Sequence, residues 1–332
     1  MSDRIAVLSS SYPRSADDAG GHFVHSEVRG LVHAGHEVHV FAPGGAERGG
    51  RAEHDGAHVH WLADRDAFGW PGAWPRLKQR PARLLGIGEF ALRARRALQS
   101  AGSFDRLQAH FLLPSGWPIA TLAFPPRSRT EIELVGHGSD VRLFCRLPKQ
   151  LRKHIARGWL ARGARLRLTS HELAALVQRA NPELGAVLTV APSPIEVAKV
   201  PGRSAARKRL GLAGSDRIAV IVSRLIPDKR VGLALEALAV LSGLSVIVVG
   251  DGPQLGALRA RFPRVRFTGR LLRSEALCFI AAADVLVSAS AAEGAPTVVR
   301  EARALGVPVV AINAGDLALW AKSDAGIVLV GG

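Results

Sequence analysis

Cysteine is nearly absent. Cys145 and Cys278 are the only two in 332 residues, and no CxxC pair occurs. A disulfide framework and a cysteine-built zinc site are both excluded, and a reducing cytoplasmic compartment is the expectation. Long apolar runs are scarce too. The opening MSDRIAVLSSSYPR has an apolar run only over residues 5–8, too short for the core of a secretion signal. Residues 231–250 carry a single charge, Glu236, and are long enough to span a membrane. Ser242 and Gly243 divide them, however, into an Ala/Leu-rich half that suits a buried helix and the β-branched LSVIVV, which suits a buried strand. Acid is in short supply: 28 Asp and Glu face 44 Lys and Arg, a formal net charge of +16, which bears on partners rather than on fold. Lysine accounts for only seven of those 44, so part of the excess is an arginine bias.

What is present is a large apolar content. With 48% hydrophobic and 22% charged residues the chain can build a substantial core, which excludes global disorder. Glycine (35) and proline (19) are at ordinary levels, which excludes collagen-like and low-complexity classes. At roughly 150 residues per domain the length predicts two domains.

Short apolar runs alternate with amphipathic stretches. A strand over 5–8 leads through a polar loop with Gly20 and Gly21 into a helix over 23–34, with Gly35 where a terminating glycine belongs, and then a strand over 38–41. Pro192, Pro194, Pro201 and Gly202 interrupt the pattern. It restarts with strands over 218–222, 244–249, 265–267, 285–287 and 307–311, and helices over 231–241, 255–262, 275–282 and 298–305. Alternation of this kind predicts parallel sheets covered on both faces, with ligands outside the carboxyl ends of the strands. The expected division is into domains 1–195 and 196–332.

Two basic tracts lie in the first half. Arg142, Arg146, Lys149, Arg152, Lys153, Arg157, Arg162, Arg165 and Arg167 occur with no acid among them. Residues 76–96 add seven basic residues against one Glu, preceded by Trp61, Trp70 and Trp74. Arg, Leu and Trp together suit a helix lying on an anionic membrane surface, with a solvated arginine-rich face as the plain alternative. No nucleic-acid recognition motif accompanies the charge, so no specific nucleic acid is expected.

Three segments of the second half hold candidate chemistry. Arg224 and Lys229 follow the strand over 218–222, where a fork and a mobile point charge can grip a diphosphate. Gly250, Asp251 and Gly252 follow the next strand and allow tight turning, without completing a GxGxxG fingerprint. Glu293 precedes a helix in which Pro296 should be the first residue, and Glu301 lies on that helix. The helix start aims free N–H groups at an anion, and two carboxylates so placed can accept bonds from sugar hydroxyls.

Read in order, VSRLIPDKRVGLALEAL, VIVVGDGP, VRFTGRL, AADVLVSAS and AEGAPTVVREARALGVPVVA resemble a known family. It is that of the retaining nucleotide-sugar glycosyltransferases of the GT-B fold, glycosyltransferase family 4 (group 1). The first half agrees through Gly20 and Gly21, His110, HGSD at 137–140, and TSHELA from Thr169. The resemblance implies an α/β chain of two doubly wound, Rossmann-like domains facing across a cleft, an acceptor-side domain followed by a donor-binding one. Members of the family usually continue past the equivalent of Gly332, so the C-terminal tail is expected to be short or truncated.

It further implies a UDP-, GDP- or ADP-sugar donor as co-substrate, no cofactor and no metal, and a glycan, lipid-linked or small-molecule acceptor. Arg224 and Lys229 would neutralise the diphosphate, and Glu301 would bond the ribose. Glu293 and the backbone of Gly294, Ala295, Pro296 and Thr297 would hold the sugar. Gly20 and Gly21 would approach the phosphates, His137 would bond the transferred sugar, and Arg270 would lie beside the base. No DxD-type carboxylate pair stands in a suitable loop. The competing readings are a GT-B binding scaffold weakened in turnover by its missing tail, and a basic nucleic-acid-binding protein. Among the twelve histidines, His54, His58 and His60 lack a cysteine or carboxylate set to complete a metal site, and His33, His36 and His39 are expected at the surface. Ser170 is expected to cap a helix rather than act as a nucleophile.

Overall fold

The computed structural model describes residues 2–15, 18, 20–45, 49–69, 73–126, 128–197 and 199–331. The chain divides into two compact units, Met1–Pro194 and Ile195–Gly332.

The first unit is built on strands β1 (Arg4–Ser9), β2 (Glu37–Gly45), β3 (Gly50–His54), β4 (Ala57–Ala63), β5 (Arg106–His110), β6 (Glu131–Gly136), β7 (Arg165–Leu168) and β8 (Leu188–Val190). Its helices are α1 (His22–His33), α2 (Ala73–Gln79), α3 (Leu84–Ser100), the single turn α4 (Thr121–Ala123), α5 (Ser139–Arg146), α6 (Lys149–Leu160) and α7 (His171–Ala180). The sheet order is β3-β4-β2-β1-β5-β6-β7-β8, parallel except for the β3–β4 hairpin. Alternate residues of β1 feed two different cores. Ile5 and Val7 pack with Val24 and Val28 of α1, while Ala6 and Leu8 join Phe90, Leu98, Leu134 and Trp159 on the opposite face. A strand buried on both faces loses the polar alternation of a half-exposed one, which is why IAVL reads as an unbroken apolar run.

The second unit has strands β9 (Arg217–Val222), β10 (Leu244–Val249), β11 (Arg266–Gly269), β12 (Val285–Ser288), β13 (Val309–Ile312) and β14 (Ile327–Val330). They are all parallel, in the order β11-β10-β9-β12-β13-β14. The helices are α8 (Arg203–Leu210), α9 (Val231–Ala239), α10 (Leu255–Arg261), α11 (Arg273–Ala282), α12 (Thr297–Ala304) and α13 (Leu317–Ala321). Ile218 and Val220 face a core with Ile280 and Val299, and Ile221 faces another with Val231 and Leu235. The apolar stretch 231–250 is helix α9 followed by strand β10, and no helix among the described residues is long and apolar enough to cross a membrane.

Two expectations need correction. Pro296 is not the first helical residue: its ψ of 109° is extended, so it occupies the capping position and Thr297 begins α12. The first basic tract is not one solvated face. Arg152 donates to Asn181 Oδ1 and to the carbonyls of Cys145 and Leu147, and Arg162 donates to the Phe124 and Gly158 carbonyls. Arg142 pairs with Glu172, and Arg167 is committed to Glu27 and Glu133. These four arginines tie loops and helix ends together, leaving Arg146, Lys149, Arg157 and Arg165 as the exposed cations of the tract. In the second tract, Trp61 packs against the core between β1 and α1, and Trp70 and the Trp74 side chain lie outside the described residues.

Candidate active site

Each sheet has one point at which consecutive strands run off in opposite directions, and such a switch point opens a crevice at the carboxyl ends of the strands. In the second unit it lies between β9 and β12. The loops leaving these strands are joined by a hydrogen bond from the Ala291 N–H to the Asp228 carbonyl at 2.8 Å. That bond brings Lys229 and Glu293 together, and the Lys229 ammonium donates to the Glu293 carboxylate. Arg224 shares the electrostatic surroundings of this pair. Burial lowers its proton affinity, and the charges of Glu293 and Asp228 oppose the loss.

Gly250 supports the Arg224 loop from the neighbouring strand. Its φ of +142° suits glycine, and a Cβ there would stand 1.8 Å from the Ser223 carbonyl oxygen. The Ser223 N–H bonds the Val249 carbonyl and the Leu225 N–H bonds that of Asp251, so the GDG turn is a backbone-to-backbone joint beneath Arg224.

Glu301 lies one helical turn after Thr297 on α12, and no side chain caps the start of that helix. The Glu301 carboxylate is buried, with Arg273 Nη1 donating to Oε1 at 2.6 Å. Burial raises the Glu301 pKa, and Arg273 and Arg300 work against the rise. Gly294 and Pro296 are buried, and Ala295 and Thr297 are half-buried. Arg270 is exposed after β11, two strands from β9 in the sheet. Thus the structure brings together Arg224, Lys229 and Glu293, and sets Glu301 with Arg273. Sequence reasoning passed over Arg273. The available signal was a cation at the first residue of a helix, α11, where the dipole disfavours it.

In the first unit the switch point lies between β1 and β5. Gly21 stands at the start of α1 with φ +75°, and a Cβ would lie 2.5 Å from the Ser11 carbonyl oxygen. The Gly20 N–H donates to Asp18 Oδ1 at 2.9 Å. His110 ends β5, fully buried, with its Nδ1 3.0 Å from His137 Nε2 and the two rings stacked at 14°. Phe23 and Phe111 flank the His137 ring. Below the pair, Arg167 donates to both oxygens of Glu27, whose Oε2 lies 3.8 Å from His110 Nε2.

Burial would raise the Glu27 pKa, but His110 and Arg167 more than reverse this and hold it at about 2. Burial lowers the His110 pKa to about 4 against the pull of Glu27, and drives that of His137 well below the usual imidazole value. Asp140 fixes the HGSD loop by accepting from the N–H groups of His137, Gly138 and Leu112 at 3.1, 2.9 and 2.8 Å. Ser170 Oγ accepts from the Leu173 N–H and caps α7.

The histidine expectations are partly overturned. His39 is largely buried rather than at the surface, bonded to His60 and Glu37. Carboxylates do adjoin the His58 and His60 strand: Glu37 reaches it from β2, and Glu53 pairs with His58 across the hairpin.

Two parallel-sheet α/β units of this kind define the GT-B class of fold. Sucrose-phosphate synthase from Thermosynechococcus elongatus superposes over 99% of this chain and 86% of its own, with a TM-score of 0.75 at 19% identity. WaaG, a glycosyltransferase involved in lipopolysaccharide biosynthesis, superposes over 98% of this chain and 86% of its own, with a TM-score of 0.65 at 16% identity. Residues 216–331, within the second unit, match the family described as Glycosyl transferases group 1.

Among curated relatives, the putative teichuronic acid biosynthesis glycosyltransferase TuaC of Bacillus subtilis is 32% identical over 64% of this chain and 54% of its own. The D-inositol 3-phosphate glycosyltransferase of Mycolicibacterium gilvum is 31% identical over 49% of this chain. The chain thus spans 54% and 39% of the lengths of these two relatives. A GDP-mannose-dependent alpha-mannosyltransferase of Mycobacterium tuberculosis is 26% identical over 94% of this chain and 79% of its own.

Proposed function

We propose that this chain is a glycosyltransferase that moves a sugar from a nucleoside-diphosphate donor to a glycan, lipid-linked or small-molecule acceptor, with retention of anomeric configuration and without a metal. The observation that carries the reading is the Lys229–Glu293 pair at the β9/β12 switch point, beside Arg224. Breaking the glycosidic bond builds negative charge on the departing diphosphate. Preorganised cations and helix N–H groups stabilise that charge as it forms.

Lys229 exchanges the Glu293 carboxylate for phosphate when donor binds, and Arg224 supplies the second cation. The released Glu293 accepts from sugar hydroxyls, helped by the backbone of Gly294, Ala295, Pro296 and Thr297. Glu301 accepts from the ribose hydroxyls, and Arg270 lies beside the base. The family resemblance gives Gly20 and Gly21 the donor phosphates and His137 the transferred sugar, and we assign them those roles. On this reading the second unit is the donor-binding domain and the first the acceptor-side domain, working in the cytoplasm at the inner face of the membrane.

The test is a thermal-shift and calorimetric screen against UDP, GDP, ADP and their sugar conjugates, since a ligand of the native state raises its stability. One nucleotide class should bind, and Lys229→Ala should weaken it. Binding of none, or binding unchanged by Lys229→Ala, overturns the reading. NMR of the product's anomeric linkage and turnover in excess chelator test retention and metal independence.

A further inference from the structure

The amino-terminal ends of β2 and β4 carry a cluster that the site described above does not use. In the parallel β2–β4 pairing His39 is the register partner of His58, so both imidazoles project from the same face. Glu37, two residues before His39, shares that face. One ligand atom from each of Glu37, His39 and His58 lies within 4.8 Å of the others. In the antiparallel β3–β4 pairing Glu53 is the register partner of His58 and so projects from the same face. This end of the sheet is opposite the one that carries Gly21 and His110.

We propose that Glu37, His39 and His58 form a divalent transition-metal site, of zinc class, with Glu53 or water completing the shell. Two imidazoles and a carboxylate are the donor set that zinc accepts at about 2.0–2.2 Å in a tetrahedral arrangement. Glu37 Oε1 and His39 Nε2, now 2.7 Å apart, would open slightly around an ion, and the His58 imidazole would swing in to join them. Glu37 and His58 are exposed, so their side chains can turn the remaining distance and the ion can enter from solvent. His39 is already oriented as a ligand would be. Its Nδ1 is bonded to buried His60 Nε2 at 3.1 Å, which leaves Nε2 toward Glu37. Metal-binding histidines depend on an outer partner of this kind.

Arg4 holds the place of the ion. Its Nε donates to Glu37 Oε1 at 2.9 Å, and its Nη2 stands 3.2 Å from His39 Nε2. Its Nη1 is separately bonded to the carbonyls of Ala101 and Ser103, so the guanidinium has other partners when a metal takes Glu37 and His39. The site therefore opposes a guanidinium to a divalent ion. Metal binding would staple the edge hairpin β3–β4 to β2 and stabilise the native state according to metal concentration.

The test uses the full, tag-free chain stripped with chelator, titrated with Zn2+ by calorimetry and with Co2+ by visible absorption. Wild type should bind one ion per chain, with tetrahedral Co2+ bands and a raised Tm. His58→Gln, at an exposed position, should lose at least tenfold in affinity, and His60→Phe roughly 10- to 100-fold through the freed His39. Arg4→Gln should bind more tightly than wild type. No saturable one-to-one binding in wild type, or equal affinity in His58→Gln, overturns the proposal. Should Arg4→Gln fail to fold, the comparison of wild type with His58→Gln decides alone.

Discussion

Arg273 holds Glu301 by a 2.6 Å hydrogen bond between a nearly buried guanidinium and a buried carboxylate, and its other terminal nitrogen donates to the Glu196 carbonyl. The acid assigned to the donor's ribose is thus aimed by a cation from another helix, which also opposes the rise that burial puts on its pKa. Removing one member of a buried pair strands the other. Arg273→Met should therefore cost about 3–5 kcal/mol of stability, measured by denaturant unfolding. It should also make nucleotide affinity fall as pH is lowered, because Glu301 without its cation protonates more readily. Arg273→Lys should restore part of both. Nucleotide affinity indifferent to Arg273→Met at every pH would show that Glu301 does not bond the ribose.

Lys229 and Glu293 make a sharper distinction possible. A nucleoside diphosphate without sugar meets Lys229 occupied by a carboxylate. Lys229→Ala removes a charged bond of about 1.5–3 kcal/mol and should weaken diphosphate binding roughly 10- to 100-fold. Glu293→Gln should do the opposite to the bare diphosphate, tightening it severalfold, because the competing acid is gone. The same variant should lose turnover and the extra affinity that the sugar contributes. Calorimetry with the diphosphate and with its sugar conjugate separates the two effects. Looser diphosphate binding in Glu293→Gln would contradict the exchange of partners at Lys229.

The run from β9 to β13 with helices α9 to α12, and β1, α1 and β2 of the first unit, were legible because local signals agree with tertiary ones. LSVIVV is β-branched and lies between two helical periods, and it is β10. Gly35 ends a periodic stretch, and it follows α1. Arg224, Lys229 and Glu293 were legible as a motif, and their meeting follows from strand order. Arg273 with Glu301, and Glu27 with Arg167, were not legible. Their members are 28 and 140 residues apart and meet only through strand order and helix placement, which no local period encodes. The role of Arg152 was hidden for a related reason. A charge run looks the same in sequence whether its side chains face water or the carbonyls of neighbouring loops.

The buried pair His110 and His137 should govern acid stability. In the unfolded chain a histidine titrates near 6.5, whereas His110 in the folded state titrates near 4. Between these values unfolding takes up a proton, so stability is fully present above about pH 6.5 and is lost as pH falls toward 4. For His110 the loss is on the order of 3 kcal/mol, and His137 adds in the same direction. Glu27, with its pKa held near 2, releases its own contribution only below about pH 4.5, a separate window. Denaturant unfolding at pH 7.0, 5.5 and 4.5 should show the decline, and His110→Gln should make it less steep, with His137 and His60 supplying the rest. A profile level from 7 to 4.5 in wild type would mean that the histidines are not held neutral.

Helix α3 gives the membrane expectation a definite face. Leu84, Leu85 and Leu92 are 61%, 66% and 57% exposed, while Phe90, Ala94 and Leu98 on the opposite side are buried. At 3.6 residues per turn the three exposed leucines fall on one arc of about 100°, with exposed Arg95 and Arg96 on or beside the same arc and Arg80 ahead of the helix. Apolar groups that insert and cations that meet lipid phosphate are the two components of adhesion to an anionic bilayer, with about 1 kcal/mol for each arginine near the surface. Binding to vesicles containing phosphatidylglycerol should be measurable by sedimentation. It should fall roughly tenfold or more in the triple variant Arg80→Gln, Arg95→Gln, Arg96→Gln, and should weaken with added salt. Leu85→Ser with Leu92→Ser should reduce binding even at low salt, which charge attraction alone does not explain. Neutral vesicles should bind weakly in every case. If the chain binds both lipid compositions equally, or if the triple variant binds as wild type does, the arginines of α3 are a solvated face and the membrane location falls.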